Sequence, residues 1–203
     1  MDKFVVFQVD ISVISAIMLL MNRMEAGGAL ILTLLSALLF IRSSHGVTGK
    51  GVVKMDRTSI STPAFAHNGA IPPKYTCDDK DINPPLVISG IPAGAKSLAL
   101  IVDDPDAPRG TWVHWVLWNI GPATTDVKED SVPKGAVQGI NDFGRHAYGG
   151  PCPPSGTHRY FFKLYALDTL LDLGPNSRKA DLEKAMQGHI ISEAQVIGLY
   201  KRK

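Results

Sequence analysis

Three parts of this sequence place polar side chains directly after or within apolar stretches. Asp104 and Asp106 follow one apolar run and are held in a turn by two prolines. His114 stands among tryptophans, and His158 and Tyr160 lie two residues apart in a later apolar stretch. Because residues two apart in a strand share a face, His158 and Tyr160 point the same way. The pattern predicts that an acid, two histidines and a tyrosine meet at neighbouring strand ends.

These residue types have the chemistry of a small anion pocket. Imidazole N–H and phenol O–H groups donate hydrogen bonds to an anion, and an aspartate holds a histidine in its donor tautomer. The backbone of Gly149, Gly150, Pro151 and Pro153 would form a wall that combines close approach with rigidity. With no lysine or arginine clamp in this set, we expect modest phosphate binding that weakens as pH rises through the histidine pKa values.

Short strands separated by proline-rich turns are predicted to carry these groups. One helix is expected from Arg178 to Gln187, with Asn176 or Ser177 as its cap and Gly188 at its end. No βαβ alternation is present, so we predict a mostly β fold, a two-sheet antiparallel β-sandwich with one or two short helices. The predicted strands are Thr58–Ser61, Leu86–Ser89, Ser97–Val102, Trp112–Ile120, Ala136–Ile140, His158–Leu167 and Ala194–Tyr200.

The strand around His114 is predicted to follow regular period-two geometry. Trp112, His114, Val116 and Trp118 would then share one face, and the tryptophans would serve mainly core and sheet packing. Arg159 would point away from the proposed site and pair with a carboxylate.

The first 46 residues differ from the rest of the chain. Residues 26–41 form a 16-residue uncharged apolar run, slightly short for a membrane span and suited to a secretory signal. Small residues at Ser44 and Gly46 favour cleavage and export to the periplasm or medium, and Met21 or Met24 would be the true start. An uncleaved anchor or a cytosolic chain are the alternatives. The predicted domains are residues 1–46 as signal or anchor, 47–57 as linker and 58–203 as the globular domain.

Charge and composition exclude some classes of protein. The 203 residues carry a formal net charge of +2, which argues against nucleic-acid binding. Glycine and proline together number 33, from 19 and 14, which favours a loop-rich β domain. Cys77 and Cys152 are the two cysteines, and both lie in proline- and glycine-rich loops. Three states are open to them: a disulfide between Cys77 and Cys152, two buried free thiols, or one reactive thiol at the pocket.

Several motifs, in matching order, resemble the phosphatidylethanolamine-binding protein family, and in particular its bacterial and archaeal Raf-kinase-inhibitor-like branch. The resemblance runs from about Ser59 to the C-terminus. The motifs that carry it are Tyr75-Thr-Cys-Asp78, Pro84-Pro-Leu86, Asp104-Pro-Asp-Ala-Pro108, the following His114, Asn141-Asp-Phe-Gly144, Tyr148-Gly-Gly-Pro-Cys-Pro-Pro154 and Gly156-Thr-His-Arg-Tyr160.

The resemblance implies two packed antiparallel sheets and a pocket that accepts phosphate or a phospholipid head group. By this resemblance, the pocket would be lined or supported by Asp104, Asp106, His114, His158 and Tyr160. Its rim would be formed by Pro108 and the backbone of Gly149 to Pro153. Animal members have a C-terminal helix near the pocket mouth, whereas here only Lys201-Arg-Lys203 follows the last predicted strand.

The function expected from these features is non-catalytic binding of phosphate, a phosphorylated small molecule or a lipid head group, without a cofactor. The sequence has no Gly-x-Ser-x-Gly elbow and no placed serine triad, so we predict that it is not an enzyme. The alternative is a protein that inhibits or signals through a protease or kinase, and a homodimer is allowed. A metal-dependent hydrolase using His114, His158 and a carboxylate is disfavoured, because no His-Glu-x-x-His motif is present.

Overall fold

The structure, a computed structural model, describes residues 57–202. The predicted signal or anchor segment and all of the predicted linker except Arg57 lie outside the described residues. Across the described range, no helix combines the length and the apolar character that crossing a membrane requires.

Between residues 57 and 202, nine strands form two sheets. A three-stranded sheet has the order β1-β3-β6, and a six-stranded sheet has the order β2-β9-β8-β4-β5-β7. Every pairing is antiparallel except that of β2 with β9. The predicted two-sheet sandwich is therefore confirmed. The strands are β1 Ser59–Ser61, β2 Gly69–Ala70, β3 Leu86–Ser89, β4 Ser97–Asp104, β5 Trp112–Ile120, β6 Asp126–Val127, β7 Val137–Gln138, β8 His158–Leu167 and β9 Ile190–Tyr200.

The predicted strand bounds hold where a long apolar run meets a proline or glycine turn, and they shift elsewhere. Strands β3, β5 and β8 have the predicted bounds, whereas β4 extends two residues further, through Asp104. Strand β9 begins four residues before the predicted Ala194. Strands β2 and β6 were not predicted, because two residues are too few to show a periodicity.

Two apolar clusters lie on the two faces of the six-stranded sheet. The core between the sheets contains Leu86, Leu100 and Phe162. The second cluster, which contains Ile101 and Trp118, lies on the outer face beneath the helix α1, Lys179–Met186. Because β4 is covered on both faces, all eight of its residues are buried. This explains its continuous apolar sequence up to the acids.

Helix α1 lies close to its predicted position. Its first backbone N–H groups are satisfied partly by Asp181, whose carboxylate accepts the N–H of Arg178 at 2.9 Å. Leu182 and Met186 face the outer cluster, as their four-residue spacing predicts. Gly188, with φ +78°, takes the left-handed conformation just beyond the helix end. A 3-10 turn at Pro73–Tyr75 is the other helical segment in the described range.

The predicted directions of the β5 side chains are wrong, because the strand contains a bulge at His114. Trp115 pairs with Val102, and Val113 pairs with the next residue, Asp103, so one extra residue stands on β5 between these pairs. His114 and Trp115 consequently both face the inner side of the sheet. Val116 and Trp118, which were predicted to share the face of His114, lie in the outer cluster.

Candidate anion-binding pocket

The end of β4 supplies two consecutive carboxylates that point to opposite faces of the sheet. Asp103 is fully buried on the outer side, where Lys163 and Lys179 contact it at 2.8 and 2.5 Å. Asp104 lies on the inner side and accepts a hydrogen bond from the N–H of Asp106 at 2.8 Å. Its other oxygen lies 2.7 Å from Nδ1 of His158. Asp104 therefore fixes both the turn after β4 and the orientation of one imidazole.

Strand β8 runs antiparallel to β4 and brings His158 and Tyr160 beside Asp104. Both side chains are buried, and Tyr160 is only 1% exposed. Within residues 57–202, the hydroxyl of Tyr160 makes no well-formed hydrogen bond, although the carboxylate of Asp104 and the backbone of Cys152 lie near it. An unpartnered buried hydroxyl is unfavourable unless a ligand or water completes it. Burial, and then the nearby charge of Asp104, raises the pKa of Tyr160 well above its ordinary value, so this phenol remains a donor.

The bulge in β5 turns His114 toward the same point. Nδ1 of its ring lies 2.6 Å from the carbonyl oxygen of Gly149, and the N–H of Gly149 donates back to the carbonyl of His114 at 3.0 Å. The ring also packs edge-on against Phe143 and Tyr160, with centroids 5.4 and 5.2 Å away. Burial lowers the pKa of His114, although the Gly149 carbonyl and the Asp104 charge act in the opposite direction.

These side chains surround a pocket of about 370 Å³. Six of the predicted site residues line it directly: Asp104, Pro108, His114, Pro153, His158 and Tyr160. Cys152, which lies within the predicted rim, also lines the pocket. The lining residues that were not predicted are Ala107, Arg109, Trp112, Phe143 and Pro154.

The remaining predicted site residues lie behind the pocket wall. The N–H of Gly150 donates to Asp81 at 2.5 Å, and the carbonyl of Pro151 accepts from the N–H of Cys77 at 3.1 Å. A Cβ on Gly150 would lie 2.7 Å from backbone atoms of Tyr75 and Thr76, so only glycine fits there. Gly149, Gly150 and Pro151 therefore position the wall and do not line the cavity.

Asp106 also lies outside the lining, although the sequence grouped it with the site. Both of its oxygens bind Arg159, at 2.8 Å from Nε and 2.6 Å from one terminal nitrogen. These hydrogen bonds lower the pKa of Asp106 from 3.8 to about 2. Asp106 therefore joins the turn after β4 to β8, and Arg159 pairs with a carboxylate as its strand position predicts.

Cys77 and Cys152 form a disulfide, with Cα atoms 5.4 Å apart. Cys152 lines the pocket and lies between Pro151 and Pro153, so the bond ties the pocket wall to the loop after the 3-10 turn. The end of β9 contacts the same loop, because Tyr200 and Arg202 both donate to Asp78, at 2.6 and 3.0 Å.

The sequence-based expectation of a site without a cationic clamp is wrong, because Arg109 lines the pocket. Arg109 has no ion pair within the described part of the chain. Trp112 and Phe143 pack edge to face at the pocket, with centroids 5.4 Å apart, and each is 37% exposed. Arg109 directly follows Pro108, a predicted rim residue, and this position in the sequence could have indicated that Arg109 lies at the pocket. Phe143 lies in a loop that gives no strand periodicity.

The profile of the phosphatidylethanolamine-binding protein family matches residues 61–201, more than half of the 203 residues. This chain belongs to the phosphatidylethanolamine-binding protein family.

Relatives within the family come from archaea and bacteria. The chain is 55% identical over 149 residues to the UPF0098 protein of Methanothermobacter thermautotrophicus, covering 71% of this chain and 99% of the relative. A solved phosphatidylethanolamine-binding-protein homologue from Chlamydia trachomatis is 41% identical with a TM-score of 0.70, covering 72% of this chain and 99% of that one. YbcL of Escherichia coli is 32% identical with a TM-score of 0.69, covering 73% and 100%.

In this family member, both imidazoles are held in a tautomer opposite to the one that the sequence argument assumed. A carbonyl and a carboxylate oxygen only accept, so Nδ1 of His114 and Nδ1 of His158 both carry the hydrogen. Each neutral ring then presents Nε2 as an acceptor, and Nε2 makes no hydrogen bond to another described residue in either case. A histidine of this site can donate from Nε2 only when it is protonated.

The residues do not form a group suited to a metal ion. Between Arg57 and Arg202, no three histidine, cysteine, aspartate or glutamate side chains are arranged as ligands for one ion. The hydrolase alternative needs such a group, whereas the pocket offers the hydroxyl of Tyr160, the guanidinium of Arg109, two imidazoles and an aromatic edge.

Proposed function

We propose that this domain is a non-catalytic binding module for a phosphate-bearing ligand. The ligand is inorganic phosphate, a phosphorylated small molecule or a phospholipid head group. The observation that carries the proposal is the buried hydroxyl of Tyr160, which lacks a partner among the described residues and faces the same cavity as His114 and His158. Three polar groups that converge on one cavity are typical of a site that orients a small ligand.

Size and charge support this proposal. A volume of about 370 Å³ lies in the range of small-ligand sites, and a phosphate group with a short substituent fits it. Arg109 supplies a cation that can contact two phosphate oxygens. The exposed rings of Trp112 and Phe143 offer an apolar surface to the part of the ligand beyond the phosphate.

The lining also supports the non-catalytic part of the proposal. It contains no serine, threonine or free thiol among the described residues, because Cys152 is bonded to Cys77. The carboxylate of Asp104, the acid nearest to His158, already accepts two hydrogen bonds. A general base that is fully engaged in holding the turn and the imidazole is poorly placed to move a proton.

Calorimetry with inorganic phosphate and with phosphoethanolamine tests the proposal. The double variant His114→Ala with His158→Ala should bind at least tenfold more weakly than the wild type. His189→Ala is the matched control, because His189 is a surface histidine paired with Asp168 far from the pocket lining. Equal binding by the wild type and the double variant would overturn the pocket assignment.

We also propose that the chain is exported. The uncharged run at residues 26–41 and the small residues at Ser44 and Gly46 support export, and a disulfide suits an oxidising compartment. Mass spectrometry of the mature protein should find an N-terminus near Val47. A mature chain that begins near Met1 would contradict cleavage.

A further inference from the structure

The fixed tautomers of the pocket determine which hydrogen atoms a ligand must bring. Nε2 of neutral His114 carries a lone pair, and so does each oxygen of a fully deprotonated oxyanion. Two lone pairs repel each other, and a buried acceptor that loses its partner costs free energy. A hydrogen bond at this point therefore requires one hydrogen between the ring nitrogen and the ligand oxygen.

For His114, that hydrogen has to come from the ligand at neutral pH. The ring is buried, and its Nδ1–H is directed to the Gly149 carbonyl, which carries no full charge that could balance an imidazolium. Burial also lowers the pKa of His114. His158 differs in its partner, because its Nδ1 lies 2.7 Å from a carboxylate oxygen of Asp104 and not from a backbone carbonyl.

We propose that the pocket selects oxyanions that carry a hydrogen, above all the monoanion of a phosphate monoester, whose O–H donates to Nε2 of His114. The hydroxyl of Tyr160 and the guanidinium of Arg109 then donate to the remaining phosphate oxygens. This inference rests on the proposed phosphate-binding function and narrows it. Inorganic phosphate and phosphate monoesters fit, whereas a head group still esterified to its lipid is a diester without an O–H and does not.

The charges around His114 favour the same ligand. A monoanion is repelled less than a dianion by the buried carboxylates near the ring, and Arg109 balances one charge. The charged and titratable groups that face His114 or act on it from neighbouring elements are Asp81, Asp103, Asp104, Arg109, His158 and Tyr160.

Calorimetry with three small esters at pH about 6.5 tests the inference. At this pH about one quarter of the methyl phosphate is the monoanion with an O–H, since its second pKa is about 6. Methyl sulfate and dimethyl phosphate are monoanions of similar shape without one, and dimethyl phosphate represents the lipid diester. We expect both to bind at least tenfold more weakly than methyl phosphate, which corresponds to about 1.4 kcal/mol. A site built to bond a ligand hydrogen rejects analogues that lack it.

Proton counting and one variant sharpen the test. At pH about 8, binding of methyl phosphate should take up one proton, seen by comparing buffers of different ionisation enthalpy. In His114→Gln the side-chain amide can donate, so the ratio between methyl phosphate and methyl sulfate should fall toward one. His189→Gln, on the surface, should keep the tenfold ratio.

The outcomes separate the two proposals. Equal binding of the three esters to the wild type would overturn the selection for a hydrogen and leave the phosphate-binding function standing. Binding of none of them, and none of inorganic phosphate, would overturn both. A tenfold ratio retained in folded His114→Gln would overturn the role of His114.

Discussion

Removal of the Cys77–Cys152 disulfide should destabilise the domain strongly. The bond closes a loop of 75 positions that includes the five strands β3 to β7 and ends in the pocket wall. The perturbation is Cys77→Ser with Cys152→Ser, which removes the bond and leaves two small polar side chains in loops.

The loop length gives the expected magnitude. With 75 positions in the chain-entropy relation, the bond lowers the entropy of the unfolded chain by about 15 cal/mol/K, or about 4.5 kcal/mol at 25 °C. Measured effects of native disulfides are commonly about 2–5 kcal/mol. With a urea slope of about 2 kcal/mol/M, a loss of 4 kcal/mol lowers the unfolding midpoint by about 2 M.

The assay is equilibrium urea unfolding of the full chain, followed by tryptophan fluorescence. The single variant Cys77→Ser is the matched control, because removing one sulfur breaks the same bond, and it should unfold at nearly the same urea concentration as the double variant. Thiol titration of denatured, unreduced wild type should find no free thiol. Two free thiols, or a midpoint shift below about 0.5 M, would refute the reasoning.

Three further predictions concern the residues that position the pocket. Gly150→Ala should lower the free energy of unfolding by about 1–3 kcal/mol, because the new Cβ would lie 2.7 Å from backbone atoms. Gly174→Ala is the control and should change it little, because open space surrounds Gly174. Equal effects of the two variants in urea unfolding would contradict the close approach at Gly150. In urea unfolding, Asp103→Asn should lower the free energy of unfolding by about 3 kcal/mol, because it leaves two lysines without their buried partner. Asp106→Asn should lower it much less, because the ion pair between Asp106 and Arg159 is largely exposed. The lowered pKa of Asp106 adds stability above pH 3.8 that is lost as pH falls toward 2, so the melting temperature of Asp106→Asn should fall less steeply over this interval. Parallel melting curves for the two proteins would argue against that contribution.

Much of the sandwich could be predicted from the sequence, because its long strands are apolar runs that end at prolines or glycines. Strand β8 is the clearest case, and its alternation also indicates that His158 and Tyr160 share a face. Strand β5 has equally clear bounds, but the sequence could not predict which of its side chains point to the inner face of the sheet. The bulge at His114 depends on how β5 pairs with β4, and a single sequence does not contain that pairing.

The same distinction applies to the candidate site. His114, His158, Tyr160 and Asp104 stand out in the sequence because polar side chains interrupt apolar strands, and the structure places them around one cavity. The hydrogen-bond partner of each imidazole depends on atoms from distant loops, so the tautomers could not be read from residue types. Arg109 lies in a turn, where neither periodicity nor burial indicates the direction of its side chain.

The consecutive acids at the end of β4 have a consequence for how the large sheet finds its register. The apolar residues of β4 are buried on both faces, so a slip by one residue would still bury apolar side chains on each side. A slip in one direction would place Asp103 beside His158 and Val102 beside the two lysines, Lys163 and Lys179. A slip in the other direction would place Asp104 beside the lysines and Pro105 beside His158. Apolar packing cannot distinguish these alignments of the strand, whereas charge can. The observed alignment is the one in which Asp103 pairs with both lysines and Asp104 contacts His158. These charge contacts therefore set the register of β4.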